Sequence, residues 1–169
     1  MTNINNSIYE IKKKYLTVKL PPNNSFTDEV IHVESHWANA NEKIVIKSYL
    51  HNGVNYFHIL ENKKGSKQIT EIDMRSIHRF FTSNPHYNTV IKTRRIIEGD
   101  TGHRWNIDEY YNLSLTIAEI SSFTPNKDDV KKLREEQNNL KIPTIIDHYK
   151  LLDITDKQQF NEFNLSSLT

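Results

Sequence analysis

The sequence predicts an α+β fold built around an eight-stranded antiparallel β-barrel with flanking helices. Three observations predict it: eight runs rich in Ile, Val, Tyr, Thr and Phe, short turn-forming connections between most of them, and charged side chains that alternate with apolar ones. Alternate side chains of a strand point to opposite faces, so such strands have one ionic and one apolar face. A closed barrel covers both, because the ionic face lines its lumen and the apolar face packs against helices.

The eight predicted strands occupy most of the first three quarters of the chain. They span residues 9–19, 29–37, 43–50, 54–61, 67–73, 90–97, 103–111 and 115–122. Turn-forming sequences separate them, such as Pro-Pro-Asn-Asn at 21–24, His-Asn-Gly at 51–53 and Gly-Asp-Thr-Gly at 99–102. Connections this short join antiparallel neighbours, so we expect a meander.

Helices are predicted at three places. Between the fifth and sixth strands, apolar residues recur at helical spacing: Met74, Ile77, Phe80 and Phe81. After the eighth strand, Thr124 is a candidate N-cap and Pro125 a candidate first helical residue, and a charged run continues to Glu136. A short helix is expected near residues 157–163.

Composition limits the classes of function. The 169 residues suit one domain spanning 1–169, and 22 Lys and Arg against 21 Asp and Glu give a net charge of +1. This balance provides no general attraction to nucleic acid or to an anionic membrane, so any basic site must be local. The absence of cysteine excludes disulfides, thiolate nucleophiles and Cys-based zinc sites. Neither a signal peptide nor a membrane span is visible, and we expect a cytoplasmic protein.

The ionic faces of the predicted strands would meet in the lumen of the barrel. Four cations would form a lining suited to a polyanion such as a triphosphate: Lys14, Lys47, Lys92 and Arg94. Three carboxylates would face them: Glu10, Asp108 and Glu119. Carboxylates on one lumen can hold Mg²⁺ or Mn²⁺, which share the rest of their coordination shell with phosphate and water. The alternative is a structural ion-pair network without a ligand, and the lysines of the first strand alone are typical of a solvated edge.

Histidine and tryptophan give weaker signals. His32 and His36 would share one strand face, but spacing places no third metal ligand beside them, so surface or packing roles are favoured. Trp37 and Trp105 lie on predicted strands and are expected in the core. The chain has no Walker loop, Gly-x-Ser-x-Gly elbow or His-Glu-x-x-His helix.

Several motifs follow one another in a characteristic order. K-T-R at 92–94, W-N-I-D-E-Y at 105–110 and L-T-I-A-E-I at 115–120 resemble the K-T-R, W-x-I-D-x-F/Y and L-x-x-A-E-x-E motifs of the CYTH family, also called triphosphate tunnel metalloenzymes. E-I-K-K-K-Y-L at 10–16 stands where that family opens with E-x-E-x-K. Residues 153–156 with Phe160, Asn164 and Leu165 resemble its E-V-T, Y and N-x-L ending. The resemblance spans nearly the whole chain and is weakest from 26 to 67.

The resemblance implies an eight-stranded antiparallel tunnel that binds triphosphates with a divalent metal. Members hydrolyse inorganic triphosphate, thiamine triphosphate or nucleoside triphosphates, and some cyclise ATP. Carried over by motif, the phosphate-binding residues would be Lys14, Lys92 and Arg94, and the metal ligands Glu10, Asp108 and Glu119.

The chain departs from the family motifs at two metal-ligand positions. Lys12 replaces the central glutamate of the opening motif, and Ser121 replaces the second glutamate of the last strand. A lysine there deletes a ligand and adds a positive charge where Mg²⁺ should sit, so we count Lys12 among the phosphate-binding residues.

The third to fifth strands also differ from the family pattern. The two arginines of the third strand are reduced to Lys47, with Tyr49 two residues on, and the lysine expected at the end of the fourth strand is Glu61. In the fifth strand Ile69 stands at the position of an arginine, whereas two acids match the family pair, Glu71 and Asp73.

Two functions therefore stay open, along with a third, structural possibility. The protein is either a metal-dependent enzyme acting on a triphosphate, less readily as an adenylate cyclase, or a catalytically inactive protein that binds a nucleotide or polyphosphate. The third possibility is a scaffold whose tunnel contains only ion pairs. The expected partner is a small phosphorylated ligand, with no nucleic-acid polymer and no membrane.

Overall fold

A computed structural model of the chain describes residues 7–21, 29–38, 44–63, 66–83, 87–98, 100–111 and 113–168. Parts of the predicted turns, at 22–24, 40–41, 64–65 and 99, lie outside these residues. No helix in the described part of the chain is long and apolar enough to cross a membrane.

Eight antiparallel strands close into the predicted barrel. They are β1 (Ser7–Thr17), β2 (Glu29–Ala38), β3 (Ile44–His51), β4 (Val54–Lys63), β5 (Ser66–Glu71), β6 (Tyr87–Glu98), β7 (Arg104–Tyr110) and β8 (Leu115–Thr124). The order around the barrel is β5-β4-β3-β2-β6-β7-β8-β1, and β1 pairs again with β5 through Ser7 and Ile8 to close it. The predicted fold class is confirmed.

The chain is not a pure meander, because β2 lies between β3 and β6. The strands β3, β4 and β5 form one consecutive run, and β6, β7 and β8 form another. The strand β2 joins them through long ladders on both of its edges, which run from Glu29 to Ala38 against β6 and from His32 to Trp37 against β3. This order places β6, which carries Lys92 and Arg94, between β2 and β7.

The chain also forms a ninth strand and a helix that the sequence pattern did not predict. The helix α3 (Thr144–Tyr149) leads into β9 (Lys150–Asp153), which pairs with the end of β1. The strand β5 pairs only with the first residues of β1, so the same edge of β1 is open farther along, where Tyr15, Leu16 and Thr17 pair with β9. The four residues of β9 are too few for a periodic signal.

Three helices lie near their predicted positions, with one correction. The helix α1 (Met74–Ser83) is as predicted, and α4 (Glu162–Ser166) follows a short 3-10 turn at Gln158–Phe160. The predicted helix start at Thr124 is wrong: this residue ends β8, and Asn126 caps a 3-10 turn (Lys127–Asp129) that leads into α2 (Val130–Asn138). The Asn126 side chain accepts a hydrogen bond from the Asp128 amide, as an N-cap does. The Thr124 hydroxyl instead accepts one from the Asn126 amide, before the turn begins.

Apolar side chains cover the outer face of the barrel. On β1, β6, β7 and β8 the buried cluster includes Tyr15, Ile97, Trp105 and Ile107, and Ile146 of α3 completes it. On β3 and β4 the helix α1 packs Phe80 and Phe81 over the strands. Both tryptophans are buried, as predicted.

Candidate functional site: the charged lumen

The alternation of β1 sends its charged side chains inward. Tyr15 is buried on the helix-covered side, whereas Glu10, Lys12 and Lys14 line a cavity of about 560 Å³ that Ile11 also borders. Such a volume is in the range of small-molecule binding sites. Of the eight predicted site residues, five line this cavity: Glu10, Lys12, Lys14, Lys47 and Glu119.

Asp108 is the centre of a buried ion-pair network on β6 and β7. Its carboxylate accepts hydrogen bonds from Lys92 Nζ at 2.7 Å and from Arg94 Nε and one terminal nitrogen, each at 2.7 Å. The side chains of Asp108 and Lys92 are 0% and 2% exposed. Arg94 also donates to Glu119 at 2.8 Å, so both acids orient the same guanidinium.

Lys12 lies between two carboxylates. Its ammonium is 3.3 Å from Glu10 Oε1 and 3.6 Å from Glu119 Oε1. Glu10 also pairs with Lys67 of β5, and the Ser121 hydroxyl donates to Glu10 Oε1 at 3.2 Å. The two replaced positions of the family motifs thus both contact Glu10.

Glu162 is a lumen residue that the sequence reasoning missed. It lies at the start of α4, and its carboxylate oxygens accept hydrogen bonds from Lys47 Nζ at 3.0 and 3.2 Å and from Lys92 Nζ at 3.2 Å. No strand periodicity marks a residue of a short tail helix, and the family motif names only its neighbours, Phe160, Asn164 and Leu165. Lys67 was not predicted as a lumen residue either, although the alternation of side chains along its strand could have indicated which face it occupies.

Lys14 differs from the other lumen cations. Within the described residues its ammonium makes no ion pair or hydrogen bond, although it lines the cavity. Its backbone is fixed by two hydrogen bonds: the Lys14 amide donates to the Thr155 hydroxyl at 3.1 Å, and the Lys14 carbonyl accepts from Ile154 N at 3.0 Å. Two exposed cations, Arg134 of α2 and Lys157, lie at the rim of the same cavity.

Burial and ion pairing shift the pKa values of the lumen groups in opposite directions. Burial alone would raise the pKa of Glu10, but Lys12 and Lys67 outweigh it and lower the pKa to about 2. Burial would likewise raise the pKa of Glu119, but the charges of Lys12 and Arg94 outweigh this effect and hold its pKa well below the usual range. For Lys12 burial is outweighed by Glu119 and Glu10, so its pKa is raised.

Two lysines have lowered pKa values because burial dominates. The Lys47 ammonium has a pKa of about 8, since burial outweighs the attraction of Glu162. Burial together with the nearby Lys12 charge lowers the pKa of Lys14. Burial and a neighbouring positive charge destabilise the charged form of an unpaired lysine, so an anion bound beside it stabilises that form.

The donor set does not form a metal site in this arrangement. Within the described residues no group of three or more His, Asp or Glu side chains is placed to hold a metal ion. The three predicted metal ligands, Glu10, Asp108 and Glu119, are each bound by lysine or arginine, and the Lys12 ammonium stands between two of them. The metal roles of these residues stay predictions.

The weakly matched third and fifth strands bring Lys47 and Lys67 to the lumen, but the two acids matched to the family pair lie elsewhere. Glu71 and Ile69 are exposed at the end of β5, and Glu61 pairs along the ladder with Ile44. Asp73 lies beyond β5, where its carboxylate accepts a hydrogen bond from Ser76 N at the start of α1. The acids matched to the family pair are therefore not brought to the Asp108 network.

The histidine pair lies apart from the lumen network. His32 and His36 flank Glu34 on β2, with Nε2 to carboxylate oxygen distances of 3.3 and 3.5 Å. Each imidazole contacts a different oxygen of Glu34, and these three side chains are not among any group placed to hold a metal ion in the described part of the chain. The preference for packing roles agrees with the ring contacts of His32 with Tyr111 and of His36 with Phe81.

Solved structures of the same architecture exist. The inorganic triphosphatase NE1496 superposes with a TM-score of 0.54 over 93% of this chain and 93% of its own, at 12% sequence identity. The PH1819 protein from Pyrococcus horikoshii OT3 superposes with a TM-score of 0.53 over 77% of this chain and 86% of its own, at 18% identity. No family model and no curated protein sequence matches the chain.

The fold and the ionic lumen define a class: closed eight-stranded tunnel proteins with flanking helices. Within that class, the chain has the CYTH-type fold of the NE1496 triphosphatase. The resemblance read from the motifs is confirmed for the fold.

Proposed function

We propose that the tunnel binds the triphosphate group of a small phosphorylated ligand, either inorganic triphosphate or a nucleotide. The observation that carries the proposal is the unpaired Lys14 ammonium, which faces a cavity that Lys12 also lines. Lys14 is half-buried. A charge that is partly removed from water without a partner is costly, and a phosphate oxygen supplies the missing partner. Lys92 and Arg94 add positive potential from behind their carboxylates.

The similarity to an inorganic triphosphatase supports a triphosphate as the ligand class. At 12% identity this support concerns the shared fold, and the residues of this lumen carry the argument. A purely structural scaffold is less favoured, because an unpaired lysine beside a cavity of about 560 Å³ would lower the stability of a scaffold without any gain from ligand binding.

We further propose that this binding needs no divalent metal. Lys12 supplies a positive charge between Glu10 and Glu119, at 3.3 and 3.6 Å from their oxygens. A lysine ammonium can neutralise phosphate directly, with three donors and no coordination geometry to satisfy. The competing hypothesis is a hydrolase that uses Mg²⁺ or Mn²⁺, and it is favoured by the retention of Glu10, Asp108 and Glu119 in one lumen.

The first test is calorimetric titration with inorganic triphosphate, in EDTA and in Mg²⁺. We expect binding in EDTA and a loss of at least about tenfold in affinity for Lys14→Met, because a desolvated charge-assisted hydrogen bond is removed. Lys131→Met is the matched control, since Lys131 is an exposed lysine of α2 outside the lumen, and should bind as the unchanged protein does.

Three results would decide against the proposal. Absence of triphosphate binding in both buffers would favour the ion-paired scaffold. Binding that requires Mg²⁺, together with release of phosphate, would favour the hydrolase. Equal losses for Lys14→Met and Lys131→Met would show that the anion binds outside the tunnel.

Lys12→Glu tests the role of Lys12 separately. This change brings a third carboxylate beside Glu10 and Glu119, and it removes the resident ammonium. We expect triphosphate binding in EDTA to fall at least about tenfold and to recover when Mn²⁺ is added, because hard cations bind clustered carboxylates. If Lys12→Glu binds triphosphate in EDTA as tightly as the unchanged protein, Lys12 is not a phosphate-binding residue.

A further inference from the structure

The carboxylate of Glu162 lies where a ligand anion would be expected. It accepts hydrogen bonds from Lys47 at 3.0 and 3.2 Å and from Lys92 at 3.2 Å, so one anion joins cations from two strands. These are the contacts that a phosphate group would make with the same lysines. The side chain of Glu162 is 13% exposed and lines the same cavity as Lys12 and Lys14.

Glu162 is firmly anchored on both sides. The next residue, Phe163, packs edge-on against Trp37 with ring centroids 5.5 Å apart. Leu165 is buried in a cluster with Val90, Tyr110 and Ile117 of the barrel wall. The helix start is also capped, because the Asn161 side chain accepts a hydrogen bond from Asn164 N at 2.7 Å. A carboxylate held in this way is part of the wall of the site.

The lining of the cavity shows what Glu162 covers. Lys12, Lys14 and Lys47 line it, whereas Lys92 does not, because its ammonium is covered by Asp108 and Glu162. Both acids therefore separate Lys92 from any ligand in the cavity. Asp108 is also held by Arg94 through two hydrogen bonds, and it does not line the cavity, whereas Glu162 does.

We infer that Glu162 is a specificity-determining residue that occupies the place of one phosphate group and so limits the length of the phosphate chain that the tunnel binds. The inference rests on the proposed function, that the tunnel binds a phosphate chain. With Glu162 in place, a ligand engages Lys12 and Lys14, and its next phosphate group meets a carboxylate. Without that charge, Lys47 and Lys92 extend the cationic wall.

The test compares diphosphate with triphosphate by calorimetry in EDTA, for the unchanged protein and for Glu162→Gln. Gln keeps an acceptor oxygen for Lys47 and removes the charge. We expect the affinity for triphosphate to rise at least about tenfold and the affinity for diphosphate to change less than about threefold, because only the longer chain reaches the uncovered lysines. Glu135→Gln on the exposed face of α2 makes the same change in net charge and should alter neither affinity.

Glu162→Asp provides a second variant if Glu162→Gln folds poorly. It keeps the charge and withdraws the carboxylate by one methylene group, so we expect a smaller gain for triphosphate over diphosphate in the same direction. Circular dichroism of each variant checks that the barrel is intact.

Each remaining outcome overturns the inference. Equal gains for diphosphate and triphosphate would show a general effect of charge, and a loss for triphosphate would show that Glu162 positions the lysines for the ligand. If neither the unchanged protein nor any variant binds either phosphate, the proposed function itself fails, and the inference fails with it.

Discussion

At the scale of single residues, Lys12 has the clearest consequence. A lysine at a position where the family motif has a glutamate would be costly inside a closed barrel if it were isolated. Here the ammonium is placed between Glu10 and Glu119, and both acids are charged because their pKa values are lowered. The substitution therefore changes a carboxylate cluster into an ion-pair network without leaving a buried charge unpaired.

The lowered pKa of Glu10 predicts a loss of stability in acid. A carboxyl whose pKa is about 2 in the folded protein and 4.5 when unperturbed stabilises the fold above pH 4.5 and loses that contribution as pH falls from 4.5 toward 2. The full contribution is about 3 kcal/mol, from the size of the pKa difference. Urea unfolding of the unchanged protein and of Glu10→Gln between pH 6 and 3 measures it.

We expect Glu10→Gln to be less stable near pH 6, and the difference from the unchanged protein to shrink toward pH 3. Glu135→Gln serves as the control, because Glu135 is exposed on α2 and its removal should leave the pH profile as it is. A difference that stays constant over this range would show that Glu10 acts through packing and not through its charge.

At the scale of elements, the lumen depends on how each strand is held. The strands β1 and β8 carry four of the site residues and are paired from Tyr9 to Thr17. The helix α2 is fixed to this ladder by Gln137, whose side-chain nitrogen donates to the Ile11 carbonyl at 2.7 Å and to the Ser122 hydroxyl at 3.1 Å. Ile11 and Ser122 are partners in the ladder, so one buried amide joins the helix to both strands.

Gln137→Ala should therefore destabilise the protein by about 1–3 kcal/mol, the usual effect of leaving buried hydrogen-bonding groups without a partner. Urea unfolding at pH 7 measures the change. Glu135→Ala, two residues earlier and exposed, should alter the free energy of unfolding by less than about 0.5 kcal/mol. Similar losses for both variants would mean that helix propensity dominates and that the Gln137 contacts are weak.

At the scale of the whole molecule, the barrel is covered unevenly. The strand β7 lies between β6 and β8, and its Trp105 and Ile107 are buried under the helices. At the other side, β5 is six residues long and ends in the exposed residues Ile69, Thr70 and Glu71. In the described part of the chain, closure there depends on two residue pairs with β1, Ser7 with Gln68 and Ile8 with Lys67.

This asymmetry predicts a gradient of amide hydrogen exchange. The amides of β7 and of Ala118 in β8 should exchange at least about tenfold more slowly than those at the end of β5, because local opening needs fewer broken contacts at a thinly covered edge. Exchange measured by mass spectrometry or NMR tests this. Uniform rates over all eight strands would show that the barrel opens only as a whole.

Much of the fold was readable in the sequence because strand alternation is a local signal. All eight strands of the barrel were predicted within a few residues of their observed bounds, since each carries enough β-branched and aromatic residues to stand out. The eight predicted lumen residues also lie in one region, because alternation alone decides the face to which Lys14, Lys92 or Glu119 points. Their roles toward phosphate or metal stay predictions.

The tertiary structure decided what no local pattern contains. Pairings between distant segments place β9 on the open edge of β1 and Glu162 against Lys47 and Lys92. A tail helix of five residues has no periodicity that shows which side chain enters the tunnel. The sequence by itself thus determined an ionic lumen, whereas the structure decided which charges neutralise one another and that the Lys14 ammonium has no ion-pair partner among the described residues, because ion pairing depends on distances across the closed barrel.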